Sequence, residues 1–116
     1  MNYIIKDYKK PILLRINKDG RTKAHKILEK LLINSKIRFS MYDYVDFNPL
    51  IDMENAYITT TKNSLSNIDE EFLLYFKFDK NIMEYKGHYI AEFYIETEEG
   101  DSLILPIGDT LNVYIN

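Results

Sequence analysis

Apolar and polar residues alternate with a period of two through the last third of the chain. Tyr89, Ala91, Phe93 and Ile95 interleave with Ile90, Glu92, Tyr94 and Glu96, the spacing that sends successive side chains of an extended strand to opposite faces. The acidic, glycine-bearing stretch Glu98 to Asp101 closes a hairpin, and Ser102 to Ile107 forms a short apolar return strand. Pro106 has no N–H to give a ladder, which places an edge or a bulge there. Gly108 and Asp109 turn the chain again. Leu111, Val113 and Ile115 then alternate with Thr110, Asn112 and Tyr114 in a closing strand.

The same period recurs upstream. Phe72, Leu74, Phe76 and Phe78 share one face of a strand over Glu71 to Phe78, apolar enough to be central. Lys36 to Tyr44 sets Ile37, Phe39 and Met41 against Arg38, Ser40 and Tyr42, and Tyr57 to Thr61 is rich in β-branched residues, so both read as strands. Asp46 to Asp52, which contains Asn48-Pro49, and Lys62 to Glu70 read as loops. Pro11 to Ile16 is a strand closed by the turn Lys18-Asp19-Gly20. The period changes only over Thr22 to Ile33, where Ala24, Ile27, Leu28, Leu31 and Leu32 recur at helical spacing.

A chain of 116 residues holds one domain with a single core, taken as residues 1–116. Several short strands with turn signals between them predict a mainly β fold, an immunoglobulin-like β-sandwich with one short helical insertion at about 22–33. A small α+β sheet with one covering helix is the alternative, because the Cys pair and core Trp of antibody domains are absent. No apolar run approaches the roughly 20 residues of a membrane helix, and the N-terminus lacks the order of a signal peptide. No membrane partner is expected.

Charge is unevenly distributed. Residues 1–40 hold 11 Lys or Arg against Asp7, Asp19 and Glu29, a balance of +8, and the remainder carries −11. Such asymmetry fits nucleic-acid binding through the basic third, complementary surfaces in an assembly, or charges that interleave once strands pair. The basic stretch lies near Tyr3 and Tyr8, as in single-strand binders, but a pI near 5.4 opposes non-specific nucleic-acid affinity.

Catalytic chemistry is thinly supplied. The absence of cysteine removes disulfides and thiolates, and His25 and His88 are too few for a dedicated metal cage. Ser40, His88 and Asp43 own the letters of a hydrolytic triad without any motif around them. Glu96, Glu98, Glu99 and Asp101 lack the spacing of a calcium loop and read as a solvated hairpin tip. No catalytic residue, metal site or cofactor is expected.

Tyrosine is the informative residue: ten occur in a chain without Trp. Tyr42, Tyr44, Tyr75, Tyr94 and Tyr114 fall opposite the best apolar stripes, on faces that look outward in a sandwich, where tyrosine suits a protein interface. These five are the expected anchors, with Lys9, Lys10 and Arg15 meeting acidic surface.

The segment from Gly87 to Ile115, a glycine and an aromatic followed by YIAEFYIETEEGDSLILPIGDTLNVYI, resembles the N-terminal immunoglobulin-like domain of phage baseplate upper proteins (the BppU family) and related small virion proteins. KIRFSMYD at 36–43 is similar to that family's strand of the form I-x-F-x-M-x-D. Thr22 to Ile33 departs from the family's early hairpin. The resemblance implies a non-enzymatic component of a tailed-phage virion, made in the host cytoplasm and residing in a head fibre, capsid decoration or tail and baseplate attachment. A composition rich in Ile, Lys, Asn and Tyr is that of an AT-rich genome such as a crAss-like phage. The implied partners are other virion proteins and further copies of the chain, as a dimer or trimer. A small nucleic-acid-binding or host-modulating phage protein is the alternative.

Overall fold

Apolar alternation governs which residues meet. The computed structural model describes residues 1–16, 34–62 and 70–116. Its strands are β1 (Asn2–Ile5), β2 (Ile12–Ile16), β3 (Lys36–Asp43), β4 (Pro49–Asn55), β5 (Tyr57–Lys62), β6 (Glu70–Phe76), β7 (Gly87–Glu96), β8 (Ser102–Leu105) and β9 (Leu111–Ile115). Strands account for most of the described residues, among which no helix reaches seven, so the protein is mainly β. Among the described residues the helical element is a 3-10 turn at Lys80–Glu84. The helix expected at 22–33 lies outside the described residues, as does most of the loop expected at 62–70.

The first sheet runs β1-β9-β7-β3-β4, with β8 also paired to β7; the second runs β2-β6-β5. Among the described strands, β1 and β9 alone pair in parallel. Along β7 burial alternates as the sequence does, so Tyr89, Ala91, Phe93 and Ile95 point inward. Ile37, Phe39 and Met41 of β3 and Leu111, Val113 and Ile115 of β9 join them. From the second sheet come Ile12, Leu14, Leu74 and Phe76, and β6 is its central strand. The sheets meet at Phe39, whose ring stacks on Phe76 at 4.5 Å and 14° and packs edge-on to Phe93 at 5.1 Å. Phe78 closes the group edge-on to Phe76 at 5.3 Å. Each such side chain removed from water contributes about 1.5–3 kcal/mol, so this cluster joins the two layers of a sandwich-like core.

The return from β7 is divided. Phe93 pairs with Leu105 in β8, and Ala91 pairs with Leu111 in β9. A single β7 residue between those pairs therefore faces five residues, 106–110, which leave the ladder as an excursion. It begins at a cis Leu105-Pro106 peptide, where the missing N–H favours departure from the sheet. The apolar return strand accordingly stops at Leu105, short of Ile107.

One expectation about the elements changes. Residues 49–52, read as loop, belong to β4. Asn48-Pro49 is a turn signal, but β4 is the edge strand, where proline at the first position costs no ladder bond. Its pairing with β3 is irregular, with register shifts on both sides of Met41 and Met53 at φ 50°. The Met53 N–H donates to Ser40 Oγ at 2.9 Å, which accounts for a buried serine on β3. β1, for which the sequence carries no reading, is too short at four residues to show a period. After β4, the chain crosses to the second sheet at buried Ala56, whose N–H donates to the Ile37 carbonyl at 2.8 Å.

Candidate functional site

The hairpin between β3 and β4 is built from acidic residues that turn inward on their own backbone. Asp43 Oδ1 accepts the N–H of Val45 at 2.8 Å and of Asp46 at 3.3 Å. Asp46 Oδ1 accepts the N–H of Asn48 at 3.0 Å. The Phe47 N–H donates to the Asp43 carbonyl, and the Asp43 N–H to the Asn48 carbonyl. Such Asx bonds replace a ladder at a tight turn. Their consequence is a held tip on which Val45 is 84% and Phe47 64% exposed. Phe47 has φ 57°, a left-handed conformation that costs a non-glycine residue roughly 1–2 kcal/mol.

The tip continues into the outer face of the first sheet. The Tyr44 N–H donates to the His88 carbonyl at 3.0 Å, which brings the two side chains side by side. The Tyr44 ring stacks on His88 at 4.2 Å and 14°. His88 stacks on Tyr114 from the other side at 4.4 Å and 19°. His88 Nε2 lies 2.9 Å from Asn112 Oδ1, which orients the imidazole. Ile4, 54% exposed, is the β1 partner of Tyr114. A row of Ile4, Tyr114, His88 and Tyr44 thus runs across β1, β9 and β7 to the residue that follows β3, about 14 Å at ordinary strand spacing, and ends at Val45 and Phe47. Tyr42 lies one outward position behind, opposite Ile90.

The five tyrosines do not form one surface. Tyr42, Tyr44 and Tyr114 come together. Tyr94 shares their face but stands six residues along β7 from His88, about 20 Å away, beside Arg38 and Ile104. Tyr75 is on the second sheet, stacked on Tyr57 at 5.6 Å and opposite exposed Leu13. Lys9 and Lys10 sit in the turn after β1, where Asp7 Oδ1 accepts the Lys9 N–H, and Arg15 is an exposed residue of β2. These three cations do not line the aromatic row. The residues that sequence reasoning missed are Val45, Phe47 and Ile4. Two apolar residues between Asp43 and Asn48-Pro49, inside a turn signal, were the available clue.

The triad letters are committed elsewhere. Ser40 Oγ serves Met53, Asp43 serves the tip, and His88 serves the stack. Glu98 and Glu99 lie in the exposed β7–β8 turn, which is held by the Thr97 N–H donating to the Asp101 carbonyl. Among the described residues no group of three or more His, Asp or Glu is placed to hold a metal ion, and no helix is long and apolar enough to cross a membrane.

No protein-family model, curated protein or solved structure matches the chain.

Proposed function

We propose that this chain is a non-enzymatic structural module of a tailed-phage virion, an immunoglobulin-like sandwich that binds further copies of itself and neighbouring virion proteins. The observation that carries the binding reading is the tip. Val45 and Phe47 are held in water by five hydrogen bonds, and Phe47 adopts a strained backbone to do so. Strain and exposed apolar area both oppose stability in the free chain, and the exposed area is recovered when a partner covers it. The aromatic row supplies rigid, amphipathic area beside the tip, at low entropy cost.

The immunoglobulin-like assignment is supported by strand order. A sheet β1-β9-β7-β3-β4 against β2-β6-β5 corresponds to the variable-type arrangement, in which an extra strand extends the sheet of the last two strands. The crossing of the chain between sheets at Ala56 agrees with it. The virion assignment rests on the family resemblance. Its two segments, 36–43 and 87–115, become the neighbouring strands β3 and β7 with the β8–β9 return, so the similarity describes one continuous part of a sheet.

Quantitative mass spectrometry of purified particles of the encoding phage tests the assignment. The expected result is this polypeptide at a fixed, integral ratio to a known structural protein. Its absence from particles, with the polypeptide present in infected cells, overturns the virion reading.

A further inference from the structure

The ladder between β7 and β8 leaves the far side of β8 without a described partner. Hydrogen-bonded and unbonded pairs alternate along an antiparallel ladder. The Thr97 N–H donates to the Asp101 carbonyl at 2.8 Å, and counting from that bonded pair makes Ser102 and Ile104 the unbonded partners of Glu96 and Tyr94. Their N–H and C=O groups therefore face away from β7. β1 pairs with β9 only from Asn2 and Asn112 onward, so the line beside β8 holds no described strand and has room for one matching its four residues. Leu103 is 42% and Ile104 49% exposed on this edge, with exposed Ile107 just beyond. No charged residue occurs from Ser102 to Gly108. Edge strands are ordinarily blunted by charge, proline or irregular pairing, as β4 is by Pro49, Asp52, Glu54 and its shifted register. Along its own length β8 has none of these.

We infer that the outer edge of β8 binds an extended segment of another protein, which adds as a further strand and carries an uncharged, β-branched centre between Lys or Arg residues. Main-chain chemistry sets the shape of the occupant. The outward N–H and C=O groups of Ser102 and Ile104 form a template that a second extended backbone satisfies pair by pair. Side chains set its centre. Leu103 and Ile104 offer apolar contact on opposite faces of the added strand, where β-branched residues pack well. Charge sets its ends. Glu98, Glu99 and Asp101 lie in the turn before β8, and Glu92 and Asp109 lie beyond its other end. The Met1 ammonium, 3.4 Å from Asp109, and Lys36, opposite Glu96, offset only part of that charge. Basic residues at both ends of the incoming strand meet these acids. A second copy of β8 is a poor occupant for the same reason, because antiparallel pairing about a two-fold axis would set the acidic turn of each copy beside Glu92 and Asp109 of the other. The edge shares no residue with the tip or the aromatic row and does not depend on the virion assignment.

Nitrogen–proton correlation spectra of the whole chain, titrated with the peptide acetyl-Lys-Val-Thr-Val-Thr-Lys-amide, test the inference. One control peptide has alternate backbone nitrogens methylated, and another has Glu in place of both Lys residues. The expected result is a saturable shift confined to residues around 93–96 and 102–107, with affinity on the order of millimolar and slowed amide exchange at Ser102 and Ile104. The methylated peptide does not bind, and the Glu-flanked one binds about two- to tenfold more weakly, the range for two exposed ion pairs. Ile104→Pro removes an N–H that β7 does not use, so the variant keeps the parent spectrum away from β8 and loses the peptide. Equal binding of the methylated peptide, or binding retained by a folded Ile104→Pro variant, overturns strand addition. Equal binding of the Glu-flanked peptide overturns the charge selection. Concentration-dependent shifts at 102–105 in the chain alone make a second copy the occupant and overturn the assignment to another protein.

Discussion

Tyr3 and Tyr89 each send a hydroxyl inward to a backbone carbonyl, that of Pro11 and that of Tyr85. Burial pushes both phenols above the ordinary value of 10.0, and for Tyr89 the charges of Asp43 and Tyr85 push the same way. A folded value above the unfolded one means that the stabilisation is complete below about pH 10 and is lost as pH rises through the folded value. Urea midpoints across that interval are therefore expected to fall steeply, and Tyr89→Phe to flatten the fall while costing about 1 kcal/mol at neutral pH. Equal slopes in parent and variant contradict this assignment. Phe39, at the contact of both sheets, is expected to cost about 3–5 kcal/mol as Phe39→Ala, read from the same denaturation curves. Phe47 should behave in the opposite sense. Glycine adopts its left-handed backbone freely, so in the dilute, dissociated chain Phe47→Gly is expected to raise stability by about 1 kcal/mol; a loss of that size there contradicts the view that Phe47 is kept for contact.

The β3–β4 hairpin depends on one carboxylate. Asp43→Ala removes the acceptor of two backbone N–H groups and is expected to cost about 1–2 kcal/mol, with faster amide exchange at Val45 and Asp46 as the local readout. Exchange unchanged at those two amides contradicts a carboxylate-held tip. Elements with a sustained period were legible in the sequence: β7 and β9 bury the residues that alternation selects, and β6 lies in the centre of its sheet as its apolar face requires. Elements whose existence is tertiary were not. β4 contains Pro49, Asp52 and Glu54, poor strand formers that an irregular edge tolerates, and β1 gains its order from parallel pairing with β9, over 100 residues away. The candidate site was legible in part for the same reason. Alternation places Tyr42 and Tyr114 outward, whereas the stacking of His88 between Tyr44 and Tyr114 depends on register across strands, which no single segment carries.

In the first sheet Lys36 lies opposite Glu96, and Arg38 opposite Tyr94. The tip and the Ile4 to Tyr44 row form a continuous apolar and aromatic border at one end of the first sheet. An interface of this kind resists salt, because screening weakens exposed charges and leaves buried apolar area untouched. The most direct test is the solution mass by light scattering, at low and high salt, of the parent and of the Val45→Asp/Phe47→Asp double variant. The account predicts an oligomer of the 13.8 kDa chain that persists at high salt and a folded double variant that is monomeric. A parent that is monomeric throughout, or a double variant that associates as the parent does, contradicts it.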